Sequence, residues 1–391
     1  MLEFSGENLK ILHVADAIDP SLGGGTAERT FQLALALRRI GIRCTVLCTE
    51  NGLGERRKAD LKDIDLVAVP TFLHRFLVPR ISFRRIRALV NDADIIHVTG
   101  HWSILGAMVC FMALRLGKPY VYCPAGSLRV YGRSALLKKL YNWVFGARIV
   151  RSAARCLAVT NLEREQFTDY GVESSEVDLL PNGVYYDPLV KPNPQAFRDT
   201  YSLGSERIIL FLGRLSPIKG PDLLLKAFIR VAAQENEVRL VFAGPDAELG
   251  KQLRAAVVAA GLSERILFTG FLAGQDKQDA LAAADLLVVP SRQEAMSLVA
   301  LEAGLCGTPV LLTDQCGFDE VQAMGGGRVV AVDAAAIAEG ICTMLQDPHR
   351  LAAQGQRLRE TVLSSYTWDR LTQQLLLLYK KLKSEKTEIV K

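Results

Sequence analysis

Eight cysteines are spread along the chain without one Cys-x-x-Cys pair, and most sit inside apolar segments. That spacing excludes a zinc ribbon or a dithiol redox motif, and reads as reduced thiols packed as small hydrophobes. No apolar run reaches the roughly 18 to 20 residues that a spanning helix needs; the best, Ile104 to Leu114, stops at Arg115. A secretory leader is missing too. Glu3 and Glu7 stand where one would carry base, and no apolar stretch follows, so the chain is expected in the cytoplasm. Helix-turn-helix, zinc-finger and aromatic RNA-binding signatures are absent, which argues against a nucleic-acid partner. There is no repeat of fixed period and no low-complexity tract.

What is present is a long, well-mixed chain of 391 residues, 49% hydrophobic and 23% charged. At about 150 residues per domain this predicts two domains, each able to bury its own core, and it excludes disorder as the main theme. The net charge of +5 conceals an asymmetry: residues 1–180 carry 24 Lys and Arg against 18 acids, and the remainder 23 against 24. Between Phe72 and Arg155 lie 14 basic residues, including Arg75, and only two acids, Asp92 and Asp94. These bases alternate with Phe72, Phe76, Leu136, Leu140, Trp143 and Phe145. Base interleaved with aromatic and aliphatic side chains suits an anionic bilayer surface, where each Lys or Arg contributes about 1 kcal/mol.

The first part alternates strand and helix. Lys10 to Asp16 reads as a strand, Gly23 to Gly25 as a loop and Thr26 to Ile40 as a helix, the opening of a βα series. Arg43 to Cys48, Leu66 to Val69, Asp94 to Val98, Tyr120 to Cys123 and Cys156 to Thr160 continue the strands. A proline-bearing joint from Pro181 to Pro194 separates a second series, with strands at Arg207 to Leu212, Arg239 to Ala243, Ile266 to Thr269, Leu286 to Val289 and Pro309 to Leu312. Such alternation implies mainly parallel sheets covered on both faces. An amphipathic helix from Trp368 to Lys383 closes the chain.

Two stretches carry chemistry. In Pro290 to Pro309, Glu294 lies in a loop after a buried strand, and Ser297 to Leu305 reads as a helix whose free N-terminal amides can receive phosphate. Glu302 lies eight residues beyond Glu294, so both carboxylates can face one cleft. In Phe211 to Gly220, Gly213 ends a strand, and Arg214 and Lys219 on the next loop can clamp a diphosphate, neutralising it as it departs. His101 follows the strand Asp94 to Val98; strand C-termini border ligand crevices, which makes it a candidate sugar or acceptor contact. His13 and His97 read as core, His74 and His349 as surface. The glycine triplet fits neither G-x-G-x-x-G nor a Walker loop.

Together these motifs resemble the retaining glycosyltransferases of family 4, which have the GT-B fold: an α/β architecture of two Rossmann-like parallel-sheet domains facing across a cleft. The resemblance rests on Gly-Arg-Leu-x-x-x-Lys-Gly at Gly213 to Gly220, Glu-x7-Glu at Glu294 and Glu302, Gly-x-Pro-Val at Gly307 to Val310, Pro-Asn-Gly-Val at Pro181 to Val184, and the glycines at 23–25. It implies that Arg214 and Lys219 hold the donor diphosphate, that Glu294 contacts the transferred sugar and that Glu302 binds the ribose. It also implies that Gly24, Gly25, Gly213 and the amides around Ser297, Leu298 and Val299 complete the donor site. The chain departs from the family in reading Glu294-Ala295-Met296-Ser297 where many members have Glu-Gly-Phe-Gly. The loop Pro124 to Arg129 stands where many carry a histidine and resembles that of bacterial polysaccharide enzymes.

The expected organisation is an acceptor domain at 1–184, completed by a helix at about 366–391, and a donor domain at 185–365. The expected activity is metal-independent transfer of a sugar from a nucleotide-diphosphate donor to an acceptor hydroxyl, with retention, in cell-surface glycan assembly. No Asp-x-Asp stands near the predicted cleft, and no cofactor is expected beyond the donor. The acceptor would be a lipid-linked or lipopolysaccharide-type glycan, with the basic residues between Arg75 and Arg155 resting on the inner face of the membrane. A sugar-nucleotide epimerase or hydrolase, or a non-catalytic nucleotide-sugar binder, would share the donor residues.

Overall fold

The computed structural model describes residues 9–73, 77–130 and 134–389. His74, Arg75, Phe76 and Arg133 of the basic stretch lie outside them. The chain divides into two units: residues 1–185 with 368–391, and residues 186–367.

The first unit is built on a seven-stranded sheet. Its strands are β1 (Lys10–Val14), β2 (Arg43–Thr49), β3 (Asp65–Val69), β6 (Ile95–Thr99), β7 (Tyr120–Cys123), β8 (Arg155–Ala158) and β9 (Val177–Leu179), with a short antiparallel ribbon of β4 (Thr71–Leu73) and β5 (Val78–Pro79) beside them. The order is β3-β2-β1-β6-β7-β8-β9, and every pairing in the sheet is parallel. Strand alternation divides the core between the two faces. Leu12, Val14, Ile96 and Val98 join the cluster formed with the helices Phe83–Asp92 and Ile104–Arg115. His13 and His97 point the other way and are fully buried.

That other face is closed by the helices Pro20–Arg39 and Trp368–Ile389, which pack on each other. Trp368, Leu371, Leu375, Tyr379 and Leu382 are buried. The Tyr379 hydroxyl meets His97 Nδ1 at 2.6 Å, and Trp368 Nε1 donates to Gln32 Oε1 at 2.7 Å. Arg29, 1% exposed, donates to the carbonyls of Leu180 and Pro181 and to Asn182 Oδ1 at 2.8 to 3.0 Å. The Pro-Asn-Gly-Val motif is thus held by a buried guanidinium, and a Cβ on Gly183 would come within 2.8 Å of the Trp368 and Leu371 side chains.

The second unit has β10 (Arg207–Leu212), β11 (Val238–Ala243), β12 (Ile266–Gly270), β13 (Leu286–Val289), β14 (Val310–Thr313) and β15 (Gly327–Val330) in the order β12-β11-β10-β13-β14-β15. All are parallel. Each strand presents a nearly continuous apolar run because helices cover both faces. Both sheets therefore reverse direction once, between β1 and β6 in the first unit and between β10 and β13 in the second. In open α/β sheets the loops leaving such a pair of strands border the ligand crevice.

Several elements differ from the sequence reading, the short ribbon of β4 and β5 among them. The glycine triplet is not a plain loop but lies within the helix Pro20–Arg39, which is broken at Gly24 (φ 56, ψ −142). β9 and β15 lack a sequence signal because one is three residues long with an acid at its centre, and the other follows two glycines and starts on a third. The eight thiols are all free; six are buried, and burial pushes those of Cys44, Cys48, Cys156 and Cys316 up to about 12. Among the described residues, no helix is long and apolar enough to cross a membrane.

Candidate active site

The second unit brings its two motif loops together at the reversal of the sheet. Lys219, on the loop after β10, reaches Glu294, on the loop after β13, at 2.8 Å. Ser291 Oγ donates to the same Glu294 oxygen at 2.5 Å. The Glu294 amide donates to Gln315 O at 2.8 Å, so backbone and carboxylate are both fixed. Arg292 holds the loops together from below: its amide donates to Ile218 O at 2.8 Å, and its guanidinium forks onto Asp222 at 2.7 and 2.8 Å. Bidentate pairing of this kind adds geometric definition to the ion pair.

Two glycines make the approach possible. At Gly220 φ is +68, and a Cβ would lie 1.9 Å from Pro290 O; at Gly317 φ is +62, and a Cβ would lie 2.0 Å from Ala295 O. Gly213 is different. A Cβ there would meet nothing nearer than the Phe211 ring at 3.6 Å.

The helix expected from Ser297 to Leu305 runs Leu298–Cys306, with Ser297 as its cap accepting from the Ala300 amide at 3.4 Å. The Ser297 amide is itself spent on Cys316 O at 3.0 Å, so it has no hydrogen left for a phosphate. Among the described residues the Leu298 and Val299 amides have no protein acceptor, as the first turn of a helix requires. Arg214 is exposed, and among the described residues no ion pair engages it. Glu302 sits one turn further in and pairs with Lys277 at 2.8 Å. Arrayed around one loop pair are therefore a cation held in an ion pair, a free cation, an oriented carboxylate and two unpaired amides. Such a set can bind a diphosphate through charge and helix dipole.

At the reversal in the first unit, Ser103 Oγ donates to Asp16 Oδ1 at 2.6 Å and accepts from the Gly106 amide at 2.8 Å, tying the loop after β1 to the loop after β6. Burial raises the Asp16 carboxyl to about 6, against the Ser103 hydrogen bond, which lowers it. Gly24, the break in the helix, follows this carboxylate, and its Cβ direction is open; Gly25 is exposed.

His101 is placed otherwise than a contact residue would be. It is 2% exposed, with Nδ1 at 2.6 Å from the Tyr122 hydroxyl and Nε2 at 2.6 Å from Asn142 Oδ1. Asn142 Nδ2 donates to the Tyr170 hydroxyl at 2.8 Å, which donates on to Leu128 O at 2.9 Å. Reading the chain back from that carbonyl puts the imidazole proton on Nε2 and leaves Nδ1 accepting from Tyr122. Burial lowers the ring to about 4. It is a neutral group with both nitrogens engaged, and in this arrangement it offers no atom to a ligand. His13 and His97 are core, and His349 is exposed.

Asp16, Ser103, Ser291 and Gly317 were not singled out from sequence as site residues. The signal was a polar residue two positions past an apolar strand that flanks the reversal, which Asp16 and Ser291 both show. Asp92 and Asp94 do have the Asp-x-Asp spacing, but they precede β6 rather than follow it; Asp92 pairs with Lys10 at 2.7 Å and Asp94 with Lys383 at 3.3 Å. Among the described residues, no group of three or more His, Cys, Asp or Glu is placed to hold a metal ion.

Residues 24–183 match the family described as Glycosyl transferase 4-like domain, and residues 194–361 that described as Glycosyl transferases group 1. A D-inositol 3-phosphate glycosyltransferase of Gordonia bronchialis is 30% identical over 247 residues, 59% of this chain and 53% of the relative. A mannosylfructose-phosphate synthase of Agrobacterium fabrum is 31% identical over 245 residues, again 59% and 53%. The chain thus spans about half the length of these curated relatives. Among solved structures, Anabaena Alr3699/HepE in complex with UDP and glucose superposes with a TM-score of 0.77 over 95% of this chain and 100% of that one, at 20% identity, a likeness of fold.

Proposed function

Because the chain belongs to the family-4 glycosyltransferases of GT-B fold, we propose that it moves a sugar from a nucleotide-diphosphate donor to an acceptor hydroxyl, with retention at the anomeric carbon. The observation that carries this reading is the Lys219–Glu294 pair spanning the loops after β10 and β13. A departing diphosphate needs its growing charge met at the moment of cleavage. Lys219 as a point charge, Arg214 as a planar fork and the Leu298 and Val299 amides can meet it without a metal ion. Glu294, oriented by Ser291, then accepts hydrogen bonds from the sugar hydroxyls, and Glu302 from the ribose once Lys277 yields.

Substituting Arg214→Ala or Glu294→Ala lowers turnover by about 100-fold or more while leaving the protein folded; undiminished turnover in either variant overturns the assignment. Activity persists in excess chelator on this reading, and complete loss contradicts metal independence. Incubation with donor alone separates transfer from epimerisation or hydrolysis, since only the latter two proceed without acceptor.

The acceptor is assigned to the first unit. The exposed bases Arg80, Arg84, Arg85, Arg115, Arg129, Arg148 and Arg151 favour a lipid-linked glycan presented at the inner face of the cell membrane. The names of the two curated relatives favour a small phosphorylated acceptor instead. Offering a lipid-linked extract and inositol phosphate in parallel, each with a panel of nucleotide sugars, decides between them.

A further inference from the structure

The bases of the first unit are scattered over several elements, but its apolar exposure is concentrated in one. Residues 135–146 run as a helix, Ala135–Tyr141, into a π-helical turn, Asn142–Gly146. The helix is largely apolar, yet none of its residues is buried. Leu136 is 82% and Trp143 83% exposed, and Leu137, Leu140, Val144 and Phe145 stand 43% to 54% exposed beside them. A helix on a water-facing surface ordinarily turns its apolar stripe inward; here the stripe points out. Contiguous apolar exposure of this kind marks an interaction site.

The segment is also anchored, so it cannot fold its apolar side chains away. Tyr141 donates to Ser103 O at 3.0 Å, and Asn142 is gripped between His101 and Tyr170. Gly146 is buried, and a Cβ on it would fall 2.4 Å from Asn142 Oδ1. The wide π turn sets Trp143, Val144 and Phe145 outward in succession. His101, buried and saturated, therefore acts as a positioning residue for this turn.

We propose that residues 135–146 form a rigid hydrophobic wedge that inserts among the headgroups of an anionic bilayer, and that the wedge carries the membrane contact while the surrounding bases supply a smaller, salt-sensitive part. This rests on the membrane reading given above and specifies its element. The charge around the wedge selects the occupant. Lys139 within it and Arg148 and Arg151 just after it are exposed, and no Asp or Glu occurs between Asp94 and Glu163. A second copy of the chain set face to face would bring these like charges together, whereas anionic lipid neutralises them.

Vesicles of phosphatidylcholine with phosphatidylglycerol test it. Trp143 emission moves to shorter wavelength on their addition, and the protein sediments with them at both low and high salt. Leu136→Ser/Trp143→Ser lowers the partition coefficient about 100-fold at either salt, with an unchanged melting temperature because both side chains are more than 80% exposed. Arg148→Gln/Arg151→Gln lowers it about tenfold at low salt only. Unmoved emission, or a wedge variant that sediments like the parent, overturns the proposal; so does a wedge variant that changes oligomeric state but keeps vesicle binding. Binding is read without donor or acceptor, so the result stands whether or not sugar transfer is found.

Discussion

Lys219 and Glu294 each complete the other's environment, and that makes them separable by experiment from ordinary surface charges. Glu294 is 10% exposed at its side chain, so removing Lys219 leaves a nearly buried carboxylate with only Ser291 as donor. Lys219→Ala therefore loses transfer even where the variant stays folded, which turnover measured beside a circular dichroism spectrum checks. The glycines beside this pair make a sharper contrast. Gly220→Ala forces a methyl into Pro290 O at a left-handed position, and costs unit two about 3 kcal/mol or more in urea unfolding. Gly213→Ala meets only ordinary contact and costs about 1 kcal/mol or less. Equal costs at the two positions would show that the loops are not packed as described.

At the scale of elements, most of the fold was legible because parallel strands covered on both faces write themselves as apolar runs. β7, β10 and β13 fall where their residues predict, and the motifs alone single out Lys219 as a diphosphate ligand and Glu294 as a sugar contact, the two side chains that meet in the fold. What was not legible came from partners distant in sequence. His101 sits at a strand end bordering the crevice, as the pattern suggested, but Asn142 and Tyr122 fill both its nitrogens, and nothing local to residues 99–102 announces them. The Ser297 amide is likewise lost to Cys316, nineteen residues on. The terminal helix Trp368–Ile389 was foreseen as amphipathic, yet its polar tie was not: Tyr379 supplies the partner of a buried imidazole. Tyr379→Phe leaves that His97 nitrogen unsatisfied and destabilises the first unit by about 1 to 3 kcal/mol in denaturant titration, and a change confined to the second unit would refute the assignment.

For the molecule as a whole, acid acts unequally on the two units. His13, His97 and His101 are all buried in the first, with folded values of about 3, well below 6.5 and about 4. Below pH 6.5 the unfolded chain binds these three protons and the folded unit does not, so stability present above that pH is lost as it falls. Glu163 and Asp16, raised by burial to about 7 and about 6, work the opposite way by holding protons that the unfolded chain releases. Three against two leaves a net slope near one proton, about 1.4 kcal/mol per pH unit between roughly pH 6 and 5. Glu163→Gln removes one opposing group and roughly doubles that slope; an unchanged slope in the variant would mean Glu163 is ionised throughout.

The first unit is also interrupted, its sheet made from residues 10–179 and its last covering helix from residues 368–389. During vectorial synthesis the second unit, continuous from 186 to 367, is complete as soon as it clears the ribosome. The half that is made first must wait, with the face of its sheet around His13 and His97 covered by one helix of its two, until residues 368–389 emerge. The order of translation and the order of completion are therefore opposite, and a nascent chain stalled before Trp368 would be a ready client for chaperones.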